Sequence, residues 1–247
     1  MIVTGGGSGI GRASARALAA VGRPVAVWDI DGDAAHEVAG RLHVEFGVPT
    51  LGHAVDVRDA SAFPTAVDAS SGALGTIGGL VHSAGVVSID PVDVLDEHAW
   101  TRVIDVNLRA LALLVPVVLP ALRAAGSGGA IVGIASIEAV VGDGRIPAYC
   151  ASKAGLLGLI RSLAVGLAPM GIRANAVCPG YVDTPMTAPA WRSSPEGRDQ
   201  FARRVPLGRV ADPDEIGRVV RFLLSDDASY VTGAELIVDG GLTKTVS

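Results

Sequence analysis

Apolar residues along this chain fall into short β-branched runs, separated by longer stretches in which they recur every three or four positions. The runs at 2–4, 24–29, 50–55, 79–82, 130–135, 173–178 and 235–238 are too short for helices. Most lack the alternation of a half-exposed strand, so they predict strands covered on both faces. Helix-period segments start near Gly11, Asp33, Asp59, His98, Tyr149 and Pro213. Strands alternating with helices of this length make βαβ units. Right-handed crossovers turn such units into a Rossmann-type, doubly wound parallel sheet, here of about seven strands with helices on both faces.

Asp212-Pro213-Asp214-Glu215 offers an N-cap acid, Pro at N1 and Glu at N3, a capping-box pattern that marks a helix start. The longest apolar run, 110–122, holds Pro116 and Pro120. It is short of the ~20 residues of a membrane span and reads as a buried helix. The stretch 185–206 breaks the alternation with several prolines and the scattered apolar residues Met186, Trp191 and Phe201. It reads as a substrate-lid insertion in a single domain, 1–247.

Composition narrows the function classes. The 247 residues are 49% hydrophobic but only 4% aromatic, so the core is expected to be aliphatic. The net charge is −5, with no basic block, which argues against nucleic acid as a partner. Cys150 and Cys178 show no CxxC spacing, and the five histidines form no ligand pattern. Neither a disulfide framework nor a metal site is expected, and a reducing cytoplasm is the default. With Met1 running straight into Ile2-Val3-Thr4-Gly5, no signal peptide is expected, and the first strand reads as short on its N-terminal side.

The stretch Thr4-Gly5-Gly6-Gly7-Ser8-Gly9-Ile10-Gly11 follows the first strand and opens a helix in the pattern TGxxxGxG. Glycines there let backbone N–H groups, with the positive end of the helix dipole behind them, approach a pyrophosphate. Gly5, Ser8, Gly9, Ile10 and Gly11 are therefore candidate cofactor contacts. Asp29 ends the second strand about 20 residues further on, where a carboxylate accepts from an adenosine ribose diol and repels a 2′-phosphate. It points to NAD over NADP. Asp31 reads instead as part of the next helix's cap region.

With these features the chain resembles the short-chain dehydrogenase/reductase family over nearly its whole length. The resemblance implies that Asp56 and the backbone of Val57 surround the adenine. His82-Ser83-Ala84-Gly85 stands where the family usually has Asn-Asn-Ala-Gly. Ser83, Ala84 and Gly85 are then cofactor contacts. Ser83 replaces an Asn that ties neighbouring strands, a departure expected to weaken the sheet edge.

Tyr149-Cys150-Ala151-Ser152-Lys153 places Tyr and Lys one helical turn apart on one face. A tyrosine titrates near ~10, and a nearby ammonium favours the phenolate. Tyr149 is thus the candidate general acid/base. Lowering its pKa by about three units takes roughly 4 kcal/mol, to be shared by Lys153 and a positive nicotinamide ring. Ser136 ends a strand at the carboxyl edge of the sheet, where its hydroxyl reaches the ligand crevice and the substrate oxygen.

By the same resemblance, Asn107 breaks its helix locally and holds a water in the proton path to Lys153. Tyr149 and Lys153 also contact the cofactor, with Lys153 on the nicotinamide ribose. Pro179, Gly180, Val182 and Thr184 hold the carboxamide side. The implied activity is an NAD-dependent oxidoreductase moving a hydride between the cofactor and a secondary alcohol or ketone. Ser136, Glu138, Tyr149, Met186 and Trp191 are the candidate substrate residues, and a mostly apolar substrate is expected. Homotetramers are implied, with the helices at 98–125 and 149–170 pairing between subunits. An NADPH-dependent 3-oxoacyl carrier-protein reductase, a non-catalytic dinucleotide-binding protein and a structural protein stay open as alternatives.

Overall fold

The computed structural model describes residues 1–126, 128–192 and 196–244. The strands β1 (Ile2–Thr4), β2 (Val25–Asp29), β3 (Thr50–Ala54), β4 (Gly79–His82), β5 (Ala130–Ile134), β6 (Arg173–Pro179) and β7 (Glu235–Val238) form one sheet. Its order is β3-β2-β1-β4-β5-β6-β7. Every pairing is parallel. The order reverses between β1 and β4, and a crevice opens there at the carboxyl ends of the strands. The sheet anticipated from the sequence is thus present, each strand end within one residue of its expected place.

Helices cover both faces because the central strands are apolar on both. On one face lie α3 (Phe63–Leu74), α5 (Ala110–Ala124) and α6 (Pro147–Leu167). Phe63, Leu111, Leu114, Leu156 and Ile160 pack there against Ile2, Leu80 and Ile131. On the other lie α1 (Gly9–Ala19), α2 (Gly32–Phe46) and α9 (Pro213–Leu223). Leu18, Val38, Ile216 and Val220 meet Val3, Val27 and Val81 there. Trp28 is fully buried and satisfies its indole N–H on Ser70 Oγ at 3.0 Å.

Pro116 and Pro120 sit inside α5 without ending it, and Leu111, Leu114, Val118 and Leu122 are buried, as a core helix requires. By length and hydropathy, Glu97–Ala124 and Pro147–Met170 could each cross a membrane, but their apolar faces pack on the sheet. Before α5 come α4 (Glu97–Ile104) and a π-helical turn, Asp105–Arg109, so the long helix is broken at Asn107. The expected cap of α9 forms in full. Asp214 N–H donates to Asp212 Oδ1 at 2.8 Å, and Asp212 N–H donates to Glu215 Oε2 at 2.9 Å. Asp31 caps α2 by accepting from Ala34 N–H at 3.0 Å.

One expectation is corrected. The strand before Ser83 is no edge: β4 lies between β1 and β5, in the middle of the sheet. Its end is tied by Ser83 N–H donating to Thr4 O at 3.2 Å and Ala84 N–H donating to Thr4 Oγ1 at 3.2 Å. Backbone groups and a threonine do the joining, so Ser83 needs no amide side chain. Within 185–206 the described residues include two short helices, α7 (Ala188–Arg192) and α8 (Gly197–Ala202).

The crossing of α1 and α9 depends on Gly217. A Cβ there would lie 2.6 Å from Ala13 O. Helix propensity alone would favour Gly217→Ala by about 1 kcal/mol. Backbone cannot yield as a flexible side chain does, so a net loss of roughly 1–3 kcal/mol is expected, read as a lower urea midpoint. A stabilised variant would show that the helices separate freely.

Candidate active site

The crevice begins where β1 turns into α1. Gly5 has φ +64°, and a Cβ on it would lie 2.7 Å from the Ala84 backbone. A Cβ on Gly11 would lie 2.0 Å from Gly5 O. No other residue allows β1, β4 and α1 to approach so closely. Ser8 caps α1 without a side-chain hydrogen bond, and the first turn holds no acid. The leading N–H groups and the positive helix end are therefore left to an incoming anion.

Asp29 stands across the loop from α1. Its carboxylate accepts from Gly7 N–H at 2.9 Å and Asp31 N–H at 3.1 Å, which fixes it at the crevice wall with lone pairs to spare. Arg12 does not line the crevice.

The crevice has a volume of about 490 Å³. Every residue assigned above to cofactor contact lines it, from Gly5 through Asp29, Asp56 and Ala84 to Lys153, Val182 and Thr184. Ser136 and Met186 line it too. Glu138 and Trp191 do not: they lie outside the lining. Thr184 packs near the phosphate loop, 3.4 Å from where a Gly9 Cβ would be. Its hydroxyl is within 3.1 Å of Thr187 Oγ1, which donates to Val182 O at 2.6 Å.

Two lining cations escaped the sequence reading, Arg58 and Arg102. Arg58 grips Asp56 with Nε at 3.0 Å and Nη2 at 2.6 Å, and holds that carboxyl below its ordinary range. The only hint in the sequence is a basic residue two places after Asp56.

At the other end stand Ser136, Tyr149 and Lys153. Pro147 opens α6, so Tyr149 lies in its first turn and Lys153 one turn on. Ser136 follows β5 and hydrogen-bonds the Tyr149 hydroxyl, which favours the phenolate. Lys153 Nζ lies 5.5 Å from the Tyr149 ring centroid and donates to Ile134 O at 2.7 Å. Burial lowers its pKa to about 8.

The expected lowering of Tyr149 by Lys153 is not built into the protein alone. Burial pushes the phenol up to about 12, and Ser136 opposes this only in part. The desolvation of a phenolate exceeds what one hydroxyl returns. Within the chain alone, burial outweighs Ser136 and keeps the Tyr149 phenol above its ordinary range.

Asn107 is buried within the π turn. Its Oδ1 accepts from Val86 N–H at 2.9 Å, and its Nδ2 donates to Val86 O and Ser152 Oγ, both at 3.0 Å. Ser152 Oγ in turn donates to Tyr149 O at 2.7 Å. The side chain is nearly saturated, so it bolts the β4 exit to α6. Any water it holds has the second lone pair of Oδ1. Gly85 leaves space there: a Cβ would lie 3.6 Å from both Asn107 Oδ1 and Lys153 Nζ.

His82 is a further member the motifs did not disclose. Its signal was a polar residue closing an apolar central strand. It is 1% exposed, with Nδ1 3.0 Å from Thr4 Oγ1 and Nε2 3.2 Å from Val106 O in the π turn. A carbonyl only accepts, so Nε2 carries the proton. Thr4 Oγ1 then donates to Nδ1 while accepting from Ala84 N–H. The chain of bonds ties the glycine loop to the turn that carries Asn107.

With this geometry in view, relatives are informative. A family model described as Enoyl-(Acyl carrier protein) reductase matches residues 5–243. The chain is a member of the short-chain dehydrogenase/reductase family. It is 42% identical to cis-4-hydroxycyclohexanecarboxylate dehydrogenase of Sinomonas cyclohexanicum, over 98% of this chain and 95% of that one. It is 39% identical to D-threitol dehydrogenase of Mycolicibacterium smegmatis, over 98% and 92%. The crystal structure of levodione reductase superposes with a TM-score of 0.93 at 33% identity, covering 99% of this chain and 97% of that one. These dehydrogenases support an oxidoreductase acting on CH–OH groups with a nicotinamide cofactor.

Burial lowers His82 from 6.5 to about 4, so the folded state binds its proton later than the unfolded chain. The stability it contributes is present above pH 6.5 and is lost as pH falls toward 4. The full loss would approach about 3 kcal/mol. Denaturant titrations at pH 7 and 4.5 should show a smaller pH-dependent loss for His82→Gln than for the wild type. Equal losses would deny His82 this role.

Proposed function

We propose that this protein is an NAD-dependent dehydrogenase/reductase for secondary alcohols and ketones, with Tyr149 as general acid/base. One observation carries the reading. A single crevice holds an anion-ready helix end and a fixed carboxylate at one end, and Ser136, Tyr149 and Lys153 at the other.

The residues present fit a nicotinamide dinucleotide. The loop lacks Cβ atoms where a pyrophosphate must approach, and the helix end is uncapped by side chains. Gly9, Ile10 and Gly11 would hold the pyrophosphate, with Asp56 and Val57 at the adenine. Lys153 would hold the nicotinamide ribose, and Val182 with Thr184 the carboxamide. Asp29 would accept from the adenosine ribose diol, and its charge opposes a 2′-phosphate, which favours NAD. When bound, the cofactor supplies hydride chemistry and, in its oxidised form, a positive ring.

The chain's own groups do the rest. Ser136 holds the substrate oxygen beside Tyr149. In oxidation the Tyr149 phenolate takes the hydroxyl proton; in reduction the phenol returns it. Lys153, already poised near 8, gives or accepts a proton close to neutral pH. Asn107 keeps α6 and the β4 exit in register, so these groups keep their spacing. Val86, Val106, Ile134 and Met186 give parts of the crevice an apolar wall.

Tyr149→Phe keeps the ring and removes the proton. Its turnover of cyclohexanol should fall roughly 10²–10⁴-fold, while NADH affinity by fluorescence titration stays near wild type. Near-normal turnover in that variant would end the assignment.

A further inference from the structure

The crevice end beyond β2 and β3 is where the base of a dinucleotide would lie. Ile30, Asp56, Val57, Arg58, Arg102 and Val106 line it. Val57 packs with Val106, and Arg109 Nη1 donates to Arg58 O at 3.4 Å, so the loop after β3 and the π turn form one wall. An adenine offers N–H donors at its 6-amino group and acceptors at its ring nitrogens. A free carboxylate can only accept, so it would select the amino group.

The Asp56 carboxylate is not free. Its Oδ1 accepts from the Arg58 backbone N–H at 2.9 Å and from Arg58 Nε at 3.0 Å. Its Oδ2 accepts from Nε at 3.0 Å and from Nη2 at 2.6 Å. A carboxylate has about four lone-pair sites, and Arg58 alone occupies them. The same grip recurs between Asp143 and Arg145, so it is a local unit that needs no help from the rest of the fold.

Arg58 thereby turns an acceptor into a donor surface. Its Nη1 takes no part in the grip and keeps its N–H groups. Arg102 adds a second guanidinium, with no ion pair among the described residues. Asp29, the other lining carboxylate, is held at the phosphate loop by Gly7 and Asp31 N–H. Donors therefore outnumber free acceptors around the base. Such a setting suits ring nitrogens and carbonyl oxygens and gives an exocyclic amino group no partner of its own.

We propose that Arg58 sets the nucleobase specificity of this crevice. By occupying Asp56 it leaves the 6-amino group unread, so a dinucleotide carrying hypoxanthine in place of adenine is accepted as well as NAD itself. Hypoxanthine puts a carbonyl oxygen where adenine has the amino group, which a guanidinium tolerates and a bare carboxylate repels. This rests on the dinucleotide reading and names what its base end selects.

The test is a fluorescence titration of the purified protein with NADH and with reduced nicotinamide hypoxanthine dinucleotide, which carries the same fluorescent ring. The wild type should bind the two within about threefold of each other. Arg58→Met bares Asp56, and should bind NADH about tenfold more tightly than the analogue, because the carboxylate then accepts from the amino group and opposes the carbonyl. Arg58→Lys, whose ammonium cannot cover both oxygens as a fork does, should fall between. A merely structural role for Arg58 would weaken both dinucleotides alike. A ratio unmoved in Arg58→Met would therefore overturn the proposal, and if that variant does not fold, Arg58→Lys decides by the same ratio. A wild type that prefers NADH by tenfold would show that an acceptor reads the base, and this inference alone would fail. Binding of neither would remove the dinucleotide reading and this inference together.

Discussion

The architecture depends on one close approach, the glycine turn after β1 pressed against the exit of β4. At Gly5 the gap leaves no space for a Cβ, so backbone meets backbone at the switch point of the sheet. Thr4 then bonds both His82 and Ala84, and His82 reaches on to the π turn. A single constraint thus sets the phosphate loop, the crevice floor and the position of Asn107 together. Asn107 carries the constraint to α6 through Ser152, and so to Tyr149 and Lys153. The two ends of the crevice are parts of one rigid frame, as positioning by preorganised groups requires.

Burial also sets the electrostatics. It pushes Tyr149 up to about 12 and Lys153 down to about 8, shifting each toward its neutral form. A positive charge entering the crevice would shift Tyr149 back toward the phenolate.

Much of this was legible in the residues. Strands buried on both faces read as apolar runs, and parallel topology follows from the helices between them. The glycine spacing, Asp29 and the Tyr149/Lys153 pair specify the crevice because they are local: a loop, a strand end and one helical turn. What escaped was long-range. The His82 bonds join positions 78 and 24 residues away. Arg58 escaped for another reason: its grip on Asp56 is local, but it lies in a loop with no periodic signature. The interior place of β4 follows from strand order, which the Ser83 substitution alone does not reveal. Trp191 reads as a residue of the 185–206 insertion, and its edge-on stack with Tyr181 and Phe201 is a set of contacts no local pattern announces.

The central claim is that the crevice is built for a dinucleotide with a free 2′-hydroxyl, read by Asp29. The most direct measurement is a paired fluorescence titration of the purified protein with NADH and NADPH at one ionic strength. The account predicts much tighter binding of NADH. Preference for NADPH, or binding of neither, would contradict it.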